Sequence, residues 1–166
     1  NGSGKSTLLG LVAGLYTSSK GLVSVKTSNI GYVGVTPLVF DGTIKDNLLY
    51  GNNKKIDDRE LYEIIDEFNF FGNDKISLEF QVNNKSLSSG QLQKISFMRS
   101  LLNDTKLLLL DESTSNIDVE SKSHIKDILK QKKITVINCT HNIEDFDYQE
   151  HYTVMIQSGK RIVTKK

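Results

Sequence analysis

Apolar residues recur along the chain with two periods, one typical of helices and one typical of strands. Helical spacing from about 57 to 71 predicts a helix whose buried face carries Leu61, Ile64, Ile65 and Phe68. The same spacing from about 88 to 102 predicts a second helix, with a core face of Leu92, Ile95, Met98 and Leu102. Further predicted elements are helices from Leu8 to near Gly14 or Tyr16 and over 119–130, strands at 21–25, 29–33 and 134–139, and a hairpin of 152–156 with 161–163 around a glycine turn.

A continuous apolar run in the second half of the chain ends in an acidic pair. Residues 107–110 are all leucine, and Asp111 and Glu112 follow them. Such a run indicates a parallel strand that is buried on both faces, because a strand with one face on the surface alternates. Strands and helices in this order predict an α/β fold with a mostly parallel sheet, into which a mainly helical lobe of residues 47–102 is inserted.

The first seven residues, 1–7, match the distal part of the phosphate-loop pattern G-x-x-x-x-G-K-[ST], without its first glycine. Gly2 and Gly4 allow the backbone to turn its amides toward phosphate oxygens, and the following helix directs its positive end at the same anion. Lys5 is placed to reach the β- and γ-phosphates, and Ser6 to offer its hydroxyl to Mg²⁺. A glycine and serine turn that merely caps a helix is the alternative.

The acidic pair lies where a parallel sheet binds its ligands, beyond the carboxyl end of a buried strand. The carboxylate of Asp111 suits Mg²⁺, a hard cation that prefers oxygen ligands. Glu112, one residue further, is placed to polarise an attacking water as a general base. Two adjacent acids are by themselves usually solvated surface, but the leucine run before them and the phosphate loop upstream favour the catalytic interpretation.

A serine and a glycine mark the start of the helix predicted near residue 88. Ser88 is a good N-cap, and Gly90 leaves room for a phosphate close to the first amides of the helix. Taken alone, residues 87–91 would be an ordinary junction between a loop and a helix. Their position between the phosphate loop and the acidic pair favours a ligand-binding role.

Composition narrows the classes of function. The 166 residues are 37% hydrophobic and 25% charged, which is typical of a globular domain. A net charge of +1 disfavours electrostatic binding of nucleic acid, and no apolar run approaches the roughly 20 residues that span a bilayer. Cys139 is the only cysteine and lies in an apolar segment, so we predict a buried structural thiol and no internal disulfide.

In their order along the chain, the phosphate loop, residues 87–91, the leucine run with its acidic pair, residues 115–118 and His141 resemble an ATP-binding cassette domain over almost the whole chain. The resemblance implies a Walker A motif at 2–7, a signature motif at 87–91, a Walker B motif that ends at Asp111, a D-loop at 115–118 and a switch histidine at His141. It implies catalytic roles for Glu112 and His141, and Mg²⁺ coordination by Ser6 and Asp111. The ATP-binding residues that it implies are Asn1, Gly2, Ser3, Gly4, Lys5, Ser6, Thr7, Ser88, Gly90, Gln91 and Asp118.

The family's mechanism implies a head-to-tail dimer that closes over two ATP molecules. Each ATP would meet the phosphate loop of one subunit and Ser88, Gly90 and the following helix of the other. Closure would exclude water and complete the electrostatic site, with His141 on the γ-phosphate and beside Glu112. The implied partners are a second nucleotide-binding domain, identical or different, and a transmembrane transporter domain, at the cytoplasmic face of the cell membrane. No nucleic acid is expected.

The chain departs from the family pattern in several places. Val35 stands where exporters have a glutamine, and its side chain cannot ligate Mg²⁺ or orient water. Ser89 replaces a usual glycine, and residues 79–86 lack the acidic, glycine-containing segment that precedes many exporter signatures. No strand and no adenine-stacking aromatic residue stand before Gly2, so we expect a fragment with its N-terminal β-subdomain largely missing, an incomplete sheet and weak affinity for ATP.

Three functions fit these residues. The leading hypothesis is an ATPase that powers export through a membrane domain, because residues 40–47 are similar to those of exporter cassettes. The second is a nontransport cassette that acts on nucleic acid or ribosomes, which those residues and the near-neutral charge disfavour. The third is a degenerate regulatory cassette that binds ATP with little hydrolysis. Val35 favours this third hypothesis, whereas Glu112 and His141 oppose it.

Overall fold

Helices and strands follow one another in nearly the order that the sequence predicts, with three short elements added and one strand absent. The computed structural model describes residues 3–72, 74, 76–142, 144, 146–157 and 160–165, so Asn1, Gly2 and the predicted turn at 158–159 lie outside the described residues. The elements are α1 (Lys5–Val12), β1 (Ile30–Val33), β2 (Gly42–Thr43), α2 (Ile44–Leu49), α3 (Asp58–Glu67), β3 (Gln81–Val82), α4 (Ser89–Leu102), β4 (Leu107–Asp111), α5 (Val119–Gln131), β5 (Thr135–Cys139), β6 (Tyr152–Gln157) and β7 (Lys160–Lys165).

The centre of the fold is a parallel sheet in the order β1–β4–β5, which confirms the predicted α/β class. Ile30 pairs with Leu107, and Leu107 pairs with Thr135. The carboxyl ends of the three strands therefore meet at one edge. Short β2 and β3 form a separate antiparallel pair, with Gly42 opposite Val82.

The four leucines of β4 divide between two cores, and every residue of this middle strand is buried, as predicted. Leu107 and Leu109 pack with Leu9 of α1. Leu108 and Leu110 face the opposite side, since side chains alternate along a strand, and share the larger core with residues of α4 and α5. Burial of a leucine side chain contributes about 1.5–3 kcal/mol, so β4 anchors helices on both faces of the sheet.

The helices α3 and α4 bury the faces that their spacing predicts. Of the residues predicted for α3, all four are buried: Leu61, Ile64, Ile65 and Phe68. Of those predicted for α4, three are buried and one is partly buried: Ile95, Met98 and Leu102, then Leu92. Both helices lie between β1 and β4 in the chain, and a separate lobe of residues 47–102 stays a prediction.

The short helix α2 is not among the elements predicted from the sequence. It begins at Ile44, behind a capping box in which Thr43 and Asp46 each bond the other's backbone amide. The fully buried Asn47 accepts a hydrogen bond from the amide of Phe40 at 3.1 Å. Its own amide group donates to the carbonyls of Phe40 and Thr43, at 3.1 and 3.0 Å. This asparagine thereby fixes the loop onto the helix.

The prediction of a strand at 21–25 is wrong. Gly21 has a positive φ of 81°, Leu22 is 90% exposed, and no strand pairs with this segment within the described part of the chain. Apolar and β-branched side chains favour extended backbone, but a strand also needs a neighbour that completes its hydrogen bonds. The strand predicted at 29–33 is present as β1 and begins at Ile30.

The predicted C-terminal hairpin is present as the antiparallel pair of β6 and β7, in which Tyr152 lies opposite Lys165. At the other end of the chain, α1 ends at Val12 and a turn follows it. None of the helices in the described ranges is both long enough and apolar enough to cross a membrane.

Candidate nucleotide-binding site

The start of α1 presents backbone amides that no side chain caps. Gly4 is its N-cap and has φ 89° and ψ 19°, a left-handed conformation that glycine adopts without strain. The first amides of a helix lack partners within the helix, and together with the helix dipole they attract anions. Lys5, Ser6 and Thr7 form the first turn, so the predicted phosphate-binding residues from Gly4 onward lie at a helix N-terminus.

Three charged or titratable side chains converge beside this helix: Lys5, and two residues more than 100 positions further along the chain, Glu112 and His141. Nζ of Lys5 lies 3.7 Å from Oε1 of Glu112 and 3.3 Å from Nε2 of His141. The same Nε2 lies 3.1 Å from Oε1 of Glu112. The three side chains are 19%, 36% and 59% exposed in the order Lys5, Glu112, His141, so the cluster opens to solvent. We refer to these three residues as the Lys5 cluster.

A single nitrogen of His141 faces both a donor and an acceptor. Nε2 either accepts a hydrogen bond from the ammonium of Lys5 or carries a hydrogen and donates to Glu112. It cannot do both at once. The ammonium of Lys5 is close enough to bond either partner, so a proton or a new anion in the cluster changes which of these hydrogen bonds forms.

The backbone at the end of β4 turns Glu112 toward the cluster. Glu112 has a positive φ of 50°, which is uncommon for a residue with a side chain. Its amide donates to the carbonyl of Cys139 at 2.8 Å, which extends the ladder between β4 and β5 by one bond. Residues in sparsely populated backbone regions occur often at functional sites, and this turn points to a functional constraint on Glu112.

Asp111 is buried and has a partner that the sequence did not predict. Its side chain is 4% exposed, and Oδ2 accepts a hydrogen bond from the hydroxyl of Tyr32 at 3.1 Å. Burial, and then the hydrogen bond with Asp111, raise the pKa of Tyr32 to about 12. Burial also raises the pKa of Cys139 to about 11, with a smaller contribution from Asp111. The thiol is half-buried and stays protonated near neutral pH.

The residues predicted to hold Mg²⁺ fit that ion by their chemistry. Ser6 and Asp111 offer a hydroxyl and a carboxylate, and α1, which carries Ser6, packs against β4, which carries Asp111. Within the described ranges, no group of three or more His, Cys, Asp or Glu side chains is arranged to hold a metal. Mg²⁺ usually binds one or two protein oxygens and completes its shell with phosphate and water, and a hydroxyl with a carboxylate is such a pair.

The signature segment forms the start of α4. Ser88 caps the helix by accepting from the amide of Gln91 at 3.2 Å, and the side chain of Gln91 accepts from the amide of Ser88 at 2.9 Å. Ser89 is exposed in the first helical turn, where its side chain is accommodated. A β-carbon on Gly90 would lie 2.9 Å from the carbonyl oxygen of Asn116, so the segment 115–118 requires glycine at position 90.

A second contact joins α4 to the same segment. Nζ of the nearly buried Lys94 lies 3.2 Å from Oδ2 of Asp118. Asp118 is the N-cap of α5 and accepts from the amide and the hydroxyl of Ser121, each at 2.8 Å. Burial raises the pKa of Asp118, but hydrogen bonds from Ser121 and Lys94 outweigh burial and hold it at about 2. The aspartate is therefore charged at any physiological pH.

An uncapped helix N-terminus with a lysine in its first turn, beside a central strand that ends in two acids, defines a nucleotide-binding domain of the P-loop class. The sequence model of the ABC transporter family matches residues 1–115. The chain belongs to the ABC transporter family.

The relatives of the chain include proteins that are named as exporters or permeases. It is 30% identical over 181 residues to an ATP-dependent permease of Candida albicans, a match that covers 96% of this chain and 26% of that protein. It is 31% identical over 178 residues to a putative export ATP-binding/permease protein of Rickettsia prowazekii, covering 96% of this chain and 31% of the relative. It is also 30% identical over 186 residues to the ATP-dependent lipid A-core flippase of Xylella fastidiosa, a match that covers 98% of this chain and 32% of the flippase.

The chain thus spans only 26%, 31% and 32% of the length of these relatives. Their names support the resemblance to the ATP-binding domain of exporters. What these relatives carry across a membrane is a property of those proteins.

Proposed function

We propose that the chain binds and hydrolyses ATP as the energy-supplying domain of an exporter. The observation that carries the proposal is the Lys5 cluster, in which a phosphate-loop lysine, a strand-end glutamate and a histidine after the next strand lie within 3.7 Å of one another. A cation for phosphate, a base for water and a hydrogen-bonding histidine are the groups that hydrolysis of a phosphoanhydride needs.

ATP binding would rearrange this cluster at little cost. In the free domain the ammonium of Lys5 faces Glu112 and His141. Ion pairs between partly exposed side chains contribute about 0–1 kcal/mol, so phosphate oxygens readily take the place of Glu112 at the ammonium. Glu112 is then released to orient water and accept its proton, while Nε2 of His141 is free to donate to the γ-phosphate. Lys5 thereby connects phosphate binding to the activation of the base.

Metal binding is assigned to Ser6 and Asp111. When bound there, Mg²⁺ would neutralise charge on the phosphate oxygens. The hydroxyl of Ser6 lies in the first turn of α1 beside the amides that bind phosphate, and Asp111 is held in a buried position at the end of β4. The chain thus supplies two oxygen ligands from elements that pack on each other.

A second cassette completes the site in this proposal. Ser88 and Ser89 are exposed, and Ser88 satisfies only the amide of Gln91, so earlier amides of α4 remain for an anion. The start of α4 contacts Asn116 and Asp118 through Gly90 and Lys94. We assign Ser88, Gly90 and Gln91 to the ATP of a partner cassette, in a head-to-tail dimer around two ATP molecules. Asp118 supports this surface through α4.

The membrane partner is inferred from the names of the relatives, which describe permease, export and flippase proteins. A domain that hydrolyses ATP for such a partner would work at the cytoplasmic face of the cell membrane, joined to or bound by a transmembrane domain. Nucleic acid has no part in this proposal, since the net charge is +1 and the relatives named here are transport proteins.

ATP turnover by the intact protein tests the proposal. Glu112→Gln keeps the size of the side chain and removes the base, and we expect turnover to fall by about 100-fold or more. Glu120→Gln, at an exposed acid in the first turn of α5, is the matched control and should leave turnover unchanged. Wild-type turnover no higher than that of Glu112→Gln would contradict hydrolysis.

A regulatory cassette is the second candidate, because Val35 provides no polar side chain where exporters have a glutamine. Such a cassette would bind ATP without fast hydrolysis. Calorimetry of ATP binding beside the turnover assay separates the two: tight binding with wild-type turnover equal to that of Glu112→Gln would favour regulation.

A further inference from the structure

The loop that follows β1 is attached to α4 through its backbone. Nε2 of Gln93 donates to the carbonyls of Gly34 and Val35, each at 3.2 Å. If the amide were flipped, Oε1 of Gln93 would face the two carbonyl oxygens of Gly34 and Val35, which cannot donate to it. The orientation of the Gln93 amide is therefore fixed. The side chain of Val35 is 54% exposed and has no hydrogen-bonding atom. This loop therefore offers no side-chain donor or acceptor at position 35.

A polar group reaches the buried carboxylate from β1 instead. Tyr32 lies opposite Leu109 in the register of β1 and β4, and Asp111 follows two residues later on the same face of β4. A tyrosine is long enough to bridge this diagonal. Its hydroxyl donates to Oδ2 of Asp111 at 3.1 Å, which fixes the rotation of the carboxylate about its Cβ–Cγ bond.

Gly34 leaves the space in which the ring of Tyr32 lies. A β-carbon at position 34 would come 2.9 Å from Cε1 of that ring, closer than a carbon can approach without displacing it. Residues 32 and 34 are thus matched: the first supplies the ring, and the second omits the side chain that would push it away.

We propose that Tyr32 is a positioning residue, whose hydroxyl holds Asp111 in the orientation that receives the metal–nucleotide complex, while residue 35 contributes no polar group. The inference rests on the proposed function, because it requires Asp111 to act on a metal-bound nucleotide. Tyr32 touches neither phosphate nor metal in this scheme and acts only through Asp111. Residues that orient a metal-binding carboxylate typically change metal affinity by 10–100-fold when they are lost.

Binding of Mn²⁺ measures this orientation without turnover. We would titrate the intact protein with Mn²⁺ in the presence of adenylyl imidodiphosphate and follow free Mn²⁺ by electron paramagnetic resonance. Tyr32→Phe should weaken Mn²⁺ about tenfold and raise the Mg²⁺ concentration for half-maximal ATP turnover by a similar factor. Tyr62→Phe is the matched control, because that hydroxyl accepts a long hydrogen bond of 3.4 Å from the amide of Leu78, in the segment between α3 and β3.

A further variant separates positioning from general damage to the fold. Gly34→Ala keeps the hydroxyl of Tyr32 but displaces its ring, and it should weaken Mn²⁺ in the same direction. ATP affinity in excess EDTA should be the same for all variants, whereas a distorted phosphate loop would lower it.

Unchanged Mn²⁺ affinity in Tyr32→Phe would overturn the inference, and so would an equal loss in Tyr62→Phe. If Tyr32→Phe does not fold, the same Mn²⁺ titration of Gly34→Ala tests the inference, and an unchanged Mn²⁺ affinity in that variant would overturn it. Wild-type protein that binds no Mn²⁺–nucleotide complex would instead refute the proposed function itself.

Discussion

Replacing Asp118 by asparagine tests how firmly the start of α5 is attached to α4. Asp118 accepts two hydrogen bonds from Ser121 at 2.8 Å and lies 3.2 Å from Nζ of Lys94. The side chain of Lys94 is 10% exposed and that of Asp118 is 57% exposed. Asparagine keeps Oδ1, which caps the helix, but replaces Oδ2 by an amide nitrogen, so the variant removes the negative charge together with the acceptor that the Ser121 hydroxyl and Lys94 share.

The expected cost follows from the pKa of Asp118. Burial raises this pKa, but Ser121 and Lys94 lower it from 3.8 to about 2. At about 1.4 kcal/mol for each pKa unit, the whole shift would correspond to roughly 2.5 kcal/mol. Because more than half of the side chain is in water, screening reduces the contribution to about 1 kcal/mol. The pKa is lower in the folded state, so this stabilisation is complete above about pH 5 and is lost as the pH falls through 3.8 toward 2.

Hydrogen exchange of the intact protein, read by mass spectrometry on peptides covering 118–131, measures the local opening of α5. At pH 7 we expect Asp118→Asn to lower the free energy of opening by about 1 kcal/mol, which is about fivefold faster exchange. The matched control is Asp57→Asn, because Asp57 caps α3 through the amide of Glu60 at 2.9 Å, far from Lys94 in the chain. Its own helix should show a much smaller change.

A double-mutant cycle with Lys94→Met assigns the effect to the pair. We expect a coupling energy of about 1 kcal/mol between positions 94 and 118 at pH 7, since both changes remove the same contact. Equal exchange in wild type and Asp118→Asn would refute the reasoning. A coupling energy of zero would refute it as well, and so would a difference between the two proteins that grows as the pH is lowered from 5 to 3.

Three other changes give expected outcomes. Asn47→Ala removes three hydrogen bonds between a fully buried side chain and the partly buried backbone of Phe40 and Thr43, and it should lower the free energy of unfolding by about 2–3 kcal/mol in chemical denaturation, whereas Asn53→Ala, at an exposed site, should change it little. Gly90→Ala sets a β-carbon against the carbonyl oxygen of Asn116 and should destabilise the 113–121 region by about 1–3 kcal/mol, which hydrogen exchange without nucleotide would show as faster exchange. Ser89→Ala is the neutral control, and an equal effect in both variants would contradict the steric argument. Burial raises the pKa of Cys139 to about 11, so its alkylation by iodoacetamide should be slow at pH 8 and its rate should rise about tenfold per pH unit. A rate that levels off near pH 8.5 would show that the thiol has the pKa of an exposed cysteine.

The meeting of Glu112 and His141 is implied by the resemblance to the cassette family, and the parallel sheet gives its physical reason. The leucine run marks a buried strand, and buried strands in such folds are parallel. Parallel neighbours end at the same edge, so the residues after β4 and after β5 must lie close together. Lys5 joins them because α1 packs on β4 through Leu9. The leucine run and the shared direction of parallel strands can be read from a single sequence, whereas the pairing of β4 with β5 and the packing of α1 on β4 are seen only in the structure.

Other features depend on neighbours that periodicity does not record. Residues 21–25 have the side chains of a strand but lack a paired strand in the described ranges, and pairing decides whether they become one. The helix α2 is too short for a clear apolar face, and its signal is the capping box of Thr43 and Asp46. Tyr32 was missed because its partner is 79 residues away, and the register of β1 on β4 had to be known before a diagonal contact could be found.

Adjacent residues of α4 connect this helix to two different loops of the same chain. Gln93 bonds the carbonyls of Gly34 and Val35 after β1, and Lys94 bonds Asp118 before α5. Both loops flank β4, the strand that carries Asp111 and Glu112. The start of α4, where a partner's ATP is proposed to bind, is therefore linked by side chains to the loop after β1 and to the segment before α5. Val35 supplies no hydrogen-bonding side chain in this loop, and the link to α4 is made by the backbone carbonyls of residues 34 and 35 through Gln93.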